Sequence, residues 1–409
     1  MAGEKLKAPR GTFDVLPGDG ERRRALALEA DRILGDAGYG VVETPIFEHT
    51  DLFARGVGET TDIVQKEMFT FEDMGGRSLT LRPEGTAPTV RAYLEHGMQK
   101  WPQPVKLRYN GAFFRHEAPH AGRYRQFTQI GAEAIGSDDP SLDAEIIVLL
   151  AELLADVNGL RLRIGSLGMP ETRREYSDEL RAYLKQHESE LSDEVRARID
   201  ANPLRAFDSD HRGTQAVMQN APRLLDRIAP DDAEHFAAVR ALLDAAGVSY
   251  EVDPTLVRGL DYYTRTVFEF TSDALGAQSG VAGGGRYDLL SEQLGGPHVP
   301  GVGFAAGVER ILLAGGQEEA GDARADVFIA CEGDADRTLM FQLLNELRRD
   351  GLRADMEQAG RSIKGQLKQA NRLGAAKVII VTPDELRVRD MESGDQQAVG
   401  TPEEAKALL

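Results

Sequence analysis

The sequence predicts an α+β chain: an antiparallel sheet flanked by helices, interrupted by a helical insertion and followed by a small α/β domain. Three observations carry that prediction. Two alternating stretches, one running through Phe113-Phe114-Arg115-His116-Glu117 and one through Gly122 to Glu133, are separated by Ala118-Pro119-His120-Ala121. That middle segment can extend neither flank, so the flanks read as an antiparallel pair. From 170 to about 248 the chain is rich in Glu, Arg, Ala and Leu and poor in β-branched residues, which reads as helix. Beyond Asp326, apolar runs of strand length alternate with helical periods, the pattern of a mixed α/β sheet.

The elements follow in order. A helix over about 19–37 ends at Gly38, and 39–46 reads as a strand stopped around Pro45. A short strand at 77–82 precedes Pro83-Glu84-Gly85-Thr86, which turns into a helix with Thr86 as the expected cap. In the hairpin that follows, Phe127, Gln129, Gly131 and Glu133 share one face of the second strand, and Thr128, Ile130, Ala132 and Ala134 share the other. Arg115 and Glu117 project together from the first strand. One surface therefore offers a cation and an aromatic ring to a nucleotide, and an amide and a carboxylate to a small polar ligand. A helix over about 141–157 leads toward the helical stretch, and strand chemistry resumes at Tyr250. The acidic, glycine-containing stretch 315–326 reads as a linker. After it come a strand (326–330), a helix (337–350), a strand (352–357), a basic helix, a buried strand (377–381) and a last strand near 385–391.

Length and charge bound the possibilities. A chain of 409 residues has room for two or three domains. The single cysteine, Cys331, excludes an intramolecular disulfide framework and a multi-cysteine zinc site, and fits a reducing cytosol. Residues 1–5 open no secretory signal, and the most apolar run, Ile146 to Ala151, is too short to span a bilayer. A cytoplasmic protein with no membrane contact is expected. The net charge of −19 repels polyphosphate at long range, so any nucleic-acid binding must use local basic patches. One patch spans Lys106 to Arg125, where Glu117 is the only acid. In the other, Arg361, Lys364, Lys368 and Arg372 are spaced to share one helix stripe, while Ile363, Leu367, Ala370 and Gly374 fall on a side able to pack inward. A merely solvated helix face has the same pattern.

Three further constellations can carry chemistry. Arg258-Gly259-Leu260-Asp261-Tyr262-Tyr263 offers a cation to a phosphate or carboxylate and hydroxyls to a polar ring. Gly280-Val281-Ala282-Gly283-Gly284-Gly285-Arg286-Tyr287-Asp288 suits either a close backbone approach or a flexible loop. Gly301 to Leu312 reads as strand then helix, with Arg310 near the helix start and able to lie against a base. No phosphate-binding P-loop and no His-Glu-x-x-His site is present, and the scattered histidines suggest no metal site.

Taken together, these segments resemble the histidyl-tRNA synthetases, class II aminoacyl-tRNA synthetases, over essentially the whole chain. Gly38 to Pro45, Phe114 to Glu133 and Gly303 to Arg310 are similar to the three class motifs, and the 258–263 and 283–288 segments to two histidine-specific signatures. The resemblance implies a class II catalytic domain (1–169 and 250–320) with a helical insertion (170–249), and an anticodon-binding domain at 325–409. It also implies a homodimer joined through the first motif. The implied reaction forms histidyl-adenylate from L-histidine and ATP, with Mg2+ carried mainly on the ATP phosphates, and passes the histidyl group to the 3′ end of tRNA(His). Carried onto this chain, Arg115 and Arg258 are the catalytic cations. Arg115, Glu117, Arg123, Phe127 and Arg310 bind ATP, with adenine between Phe127 and Arg310. Glu84, Gly85, Thr86, Gln129, Glu133, Arg258, Tyr262 and Tyr263 bind histidine, the α-amino group falling to Glu84, Thr86 and Gln129 and the imidazole to Glu133, Tyr262 and Tyr263. Arg361, Lys364, Lys368 and Arg372 face tRNA. One departure is Ala118-Pro119-His120, where bacterial relatives often carry Arg-Pro-Gln at the turn facing the acceptor end. The rival reading is the catalytically inactive regulatory subunit of ATP phosphoribosyltransferase, which the intact 258–263 signature and the C-terminal domain disfavour.

Overall fold

The computed structural model describes residues 6–58, 61–256, 258–276, 279–315 and 325–409. The chain clusters into two compact units, Met1–Gln317 and Glu318–Leu409. Most of the stretch read as a linker, 316–324, lies outside the described residues.

The strands of the first unit are β1 (Gly40–Val41), β2 (Phe47–His49), β3 (Phe69–Glu72), β4 (Ser78–Leu81), β5 (Val105–Phe114), β6 (Gln126–Ile135), β7 (Leu160–Ser166), β8 (Glu251–Val252), β9 (Thr264–Ser272), β10 (Gly280–Arg286) and β11 (Gly301–Gly307). Its helices are α1 (Asp19–Asp36), α2 (Thr50–Val57), α3 (Thr86–Glu95), α4 (Pro140–Leu153), α5 (Pro170–Gln186), α6 (Asp193–Arg198), α7 (Arg212–Gln219), α8 (Pro230–Ala245), α9 (Leu290–Gln293) and α10 (Val308–Ala314). Among the described residues, eight strands form the main sheet in the order β1-β5-β6-β11-β10-β9-β7-β8. It is antiparallel except where the two-residue edge strands β1 and β8 pair in parallel.

Period-two alternation assigns the two faces of this sheet. Ile130, Ala132 and Ala134 of β6, with Phe268, Phe270, Val302 and Phe304, pack into one core with α1, α4 and α8. Asp139 caps α4 by accepting from the Ser141 amide at 2.8 Å, and Pro140 follows at the first helical position. The most apolar run of the sequence is thereby a core helix: Ile146, Ile147 and Leu150 are fully buried, each worth about 1.5–3 kcal/mol. Phe236, Val239 and Leu243 of α8 belong to this same core, so the last helix of the expected insertion packs on the main sheet. The opposite face of the sheet carries Phe127, Gln129 and Glu133.

Several expectations change in detail. The strand expected over 39–46 is only β1, because Arg82 takes up the backbone and side chain of Thr44 from the side, at 2.8 and 3.0 Å. β5 ends at Phe114, so Arg115 and Glu117 lie just past the ladder on the turn, where the Arg115 amide still bonds the Arg125 carbonyl at 3.0 Å. Thr86 does not cap its helix. The Glu84 carboxylate does, accepting from the amides of Thr86 at 2.7 Å and Ala87 at 2.9 Å. The glycine run is neither loop nor edge: β10 lies inside the sheet, paired with β9 and β11.

The second unit contains β12 (Val327–Cys331), α11 (Arg337–Arg349), β13 (Ala354–Met356), α12 (Ile363–Arg372), β14 (Lys377–Val381), β15 (Leu386–Asp390), β16 (Gln396–Val399) and α13 (Pro402–Ala407). Its sheet runs β13-β12-β14-β15-β16, parallel across the first three strands and antiparallel after them. Leu343 and Leu347 of α11 pack on one face and Ala370 of α12 on the other. β16 and α13 had no counterpart in the sequence reading. Arg361 leaves the expected stripe: α12 starts only after the Ser362 cap, and Arg361 pairs with Glu357 at 3.4 Å. Lys364, Lys368 and Arg372 remain on its exposed side. The inward side uses Gln366, which bonds both the amide and the carbonyl of Cys331, at 2.7 and 2.9 Å, whereas Gly374 is exposed beyond the helix end.

Candidate active site

A cavity of about 250 Å³ opens over the free face of the main sheet. Its wall includes Glu84, Gly85, Thr86, Arg115, Glu117, Arg123, Phe127, Gln129, Arg258, Tyr262, Tyr263 and Arg310, brought together from four separate stretches of chain. Of the residues expected at the ATP and histidine sites, Glu133 alone is off the wall. It sits beneath it, fully buried, accepting from the hydroxyls of Thr86 (2.7 Å), Tyr287 (2.7 Å) and Tyr109 (3.2 Å). Space for its carboxylate comes from Gly303 on the neighbouring strand, where any Cβ would run into Glu133 Oε2. Burial pushes the Glu133 carboxyl up to about 8, with the three hydroxyls opposing that rise and the charge of Glu84 adding to it. Glu84 is raised by burial as well, although its helix-capping amides and Arg115 pull the other way.

The upper wall is cationic. Arg115 is steered by the Pro83 carbonyl, 2.9 Å from its Nε, and its guanidinium lies 5.4 Å from the centre of the Phe127 ring. Glu117 accepts from Arg123 at 3.1 Å and faces Arg115 at 3.8 Å. Arg310 projects from α10 and donates its Nε to the Gly280 carbonyl. Arg258 lies across the sheet at Gly283, where an added Cβ would come within 2.6 Å of its Nη2. Two polar atoms on the wall are buried without a hydrogen-bond partner among the described residues: the acceptor Gln129 Oε1 and the donor Arg258 Nε. Buried polar atoms are nearly always paired, so each marks a place for a ligand group. Together they suit a zwitterion, a cationic amine at Gln129 and a carboxylate at Arg258.

Sequence reading missed four supports. Tyr287, inside the glycine signature, is on the wall and holds Glu133. Glu309, next to Arg310, accepts from the Thr128 amide at 3.1 Å and pairs with Arg23 at 2.9 Å, tying α10 and α1 to β6. Glu269 pairs with Arg258 at 3.0 Å. Arg286, fully buried, bonds Asp143 of α4 at 2.5–3.1 Å, Asp288 at 3.1 Å and the carbonyls of Ser137 and Asp139. The arginine of the glycine signature thus anchors β10 to α4 and does not enter the cavity. Among the described residues, no group of three or more His, Cys, Asp or Glu is placed to hold a metal ion. No helix among them is long and apolar enough to cross a membrane.

Known proteins share this arrangement. A sequence model described as Histidyl-tRNA synthetase matches residues 11–311, and one described as Anticodon binding domain matches 326–409. The chain is 48% identical to a histidine–tRNA ligase of Desulforamulus reducens, over 97% of each chain. It is also 48% identical to one of Rubrobacter xylanophilus, over 96% of each. The apo histidyl-tRNA synthetase structure from S. aureus aligns over 98% of this chain and 99% of its own, with a TM-score of 0.80 at 38% identity. A structure from Bacillus halodurans described as an ATP phosphoribosyltransferase regulatory subunit/histidyl-tRNA synthetase aligns at 20% identity with a TM-score of 0.67, a likeness of fold alone. Sheet, cavity and matches define an aminoacyl-tRNA synthetase with a C-terminal anticodon-binding domain. The chain belongs to the histidyl-tRNA synthetase family, and its activity is that of a histidine–tRNA ligase rather than of a regulatory subunit.

Proposed function

We propose that this cavity activates L-histidine with ATP through its own arginines. The unpaired donor and acceptor at Arg258 and Gln129 carry the reading, because they match the two charged ends of an amino acid. Glu84, Thr86 and Gln129 receive the α-ammonium, and Arg258 the α-carboxylate. The imidazole enters among Tyr262, Tyr263 and Tyr287, where Glu133 accepts from the Tyr287 hydroxyl at 2.7 Å and Glu84 from that of Tyr262 at 3.3 Å, while Gly85 leaves room for the Tyr109 ring. Two ring nitrogens find partners there, and an apolar analogue would leave those partners unpaired.

Adenine lies between Phe127 and Arg310, with Glu117 accepting from its amino group. A carboxylate oxygen of histidine attacks the α-phosphorus, the bond to the bridging oxygen breaks, and pyrophosphate leaves. Arg115 and Arg258 neutralise the charge that grows on the α-phosphate, and Arg123 meets the outer phosphates. Bound magnesium supplies further neutralisation of the ATP phosphates. The wall carries four arginines, Arg115, Arg123, Arg258 and Arg310, which suits an ion held chiefly by phosphate oxygens. A terminal ribose hydroxyl of tRNA(His) then attacks the acyl carbon and AMP leaves.

We assign 1–169 and 250–320 to catalysis, 170–249 to the insertion and 325–409 to the anticodon, in a cytoplasmic homodimer. Exposed Val41, Ile46, Phe47 and Phe71 lie at or near the first motif and supply an apolar face for the dimer contact. Lys364, Lys368 and Arg372 on the exposed side of α12 face tRNA, with Arg361, paired to Glu357 before the helix start, at the edge of that patch. Pyrophosphate exchange tests the site: Arg258→Ala and Glu133→Ala should each lose at least about a hundredfold in rate, the scale of a lost electrostatic donor. Near-normal rates would sink the assignments.

A further inference from the structure

Glu269 is a carboxylate on the wall of a cavity built for anions, and the reaction as described gives it no task. It stands on β9 directly opposite Gly283 of β10 and opposite Arg163 of β7, so the three positions share one face of the sheet. Its Oε1 accepts from Arg258 Nη1 at 3.0 Å, and its Oε2 faces Arg163 Nη1 at 3.6 Å. Arg163 in turn donates its Nε to Asp253 Oδ2 at 2.7 Å. The other Asp253 oxygen accepts from the amide and hydroxyl of Thr255, at 2.8 and 2.6 Å. Asp253 and Thr255 open the same segment that carries Arg258. The side chains Arg258, Glu269, Arg163 and Asp253 therefore close a ring through that segment, with Gly283 leaving the bed on which Arg258 lies.

We propose that Glu269 is a positioning residue that fixes the guanidinium of Arg258 for the transition state; the proposal rests on Arg258 being a catalytic cation. A free arginine side chain has many rotamers, and stabilisation of developing charge is strongest when the cation need not reorganise. Glu269 takes one edge of the guanidinium and leaves Nε for the ligand. Its own negative charge opposes binding of a polyphosphate, so its benefit must appear in turnover and not in ground-state affinity.

The test is a double-mutant cycle on the full-length protein, read by histidine-dependent ATP–pyrophosphate exchange. Glu269→Gln should lower kcat by about ten- to hundredfold, the scale of a misplaced reacting group, with no rise in the KM for ATP. In an Arg258→Ala background the same substitution should change kcat by less than about twofold, since the group it positions is gone. Arg163→Met, a change outside the cavity, should reproduce part of the kcat loss with KM unchanged, and keeps the test informative if Glu269→Gln folds poorly. Equal losses from Glu269→Gln in both backgrounds, or a raised KM with unchanged kcat, would overturn the proposal. An Arg258→Ala enzyme of normal kcat would instead overturn the reading of Arg258 itself.

Discussion

Glu133 holds a proton that a solvated carboxyl would have lost, since its pKa is raised from 4.5 to about 8 by burial. A raised carboxyl binds its proton more tightly in the folded chain than in the unfolded one. Its contribution to stability is therefore full below about pH 4.5 and is lost as pH climbs toward 8. Glu133→Gln keeps the shape and removes the titration. Its melting temperature relative to the parent should rise steadily between about pH 5 and pH 8, and a pH-independent difference would contradict the assignment. The motif residues Arg115, Phe127, Gln129 and Arg258 were legible in the sequence because neighbouring residues announced them. The cage around Glu133 was not, since Thr86 lies 47 positions away and Tyr287 154. Burial of a carboxylate among hydroxyls leaves no local pattern.

Among the elements, the hairpin of β5 and β6 was legible because alternation and a Pro/Gly turn act over a few residues. β10 was not, since its glycines erase the period-two signal that marks a strand; the Arg258 guanidinium over Gly283 and the Phe268 ring over Gly284 explain the use of those two. What fixes β10 is the pair of Arg286 with Asp143, both fully buried. Burial alone would push the Asp143 carboxyl up, but Arg286 and His235 outweigh it and hold it below its ordinary value. Asp143→Ala leaves a buried guanidinium without its main counter-charge and should cost about 3–5 kcal/mol in denaturant unfolding. Arg174→Ala, which removes an exposed pair with Glu171, should cost less than about 1 kcal/mol. Similar losses from the two would refute the claim that the buried pair anchors the strand.

For the whole molecule, the net charge of −19 repels polyphosphate at long range, so contact with tRNA is expected only at local basic patches. The second unit was legible as a mixed α/β sheet from its alternating runs, but β16 and α13 were too short to register. Its exposed Lys364 and Lys368 lie outside the catalytic unit, so they should act on tRNA and not on adenylation. Lys364→Ala with Lys368→Ala should raise the tRNA KM several-fold and flatten its salt dependence by about two counterions, leaving pyrophosphate exchange unchanged. An unaltered tRNA KM would remove this helix from the interface. The most direct measurement for the account as a whole is ATP–pyrophosphate exchange with each of the twenty amino acids supplied in turn. Exchange driven by histidine alone is predicted. Exchange with another amino acid, or none with any in folded protein supplied with magnesium, would contradict the central claim that this cavity adenylates histidine.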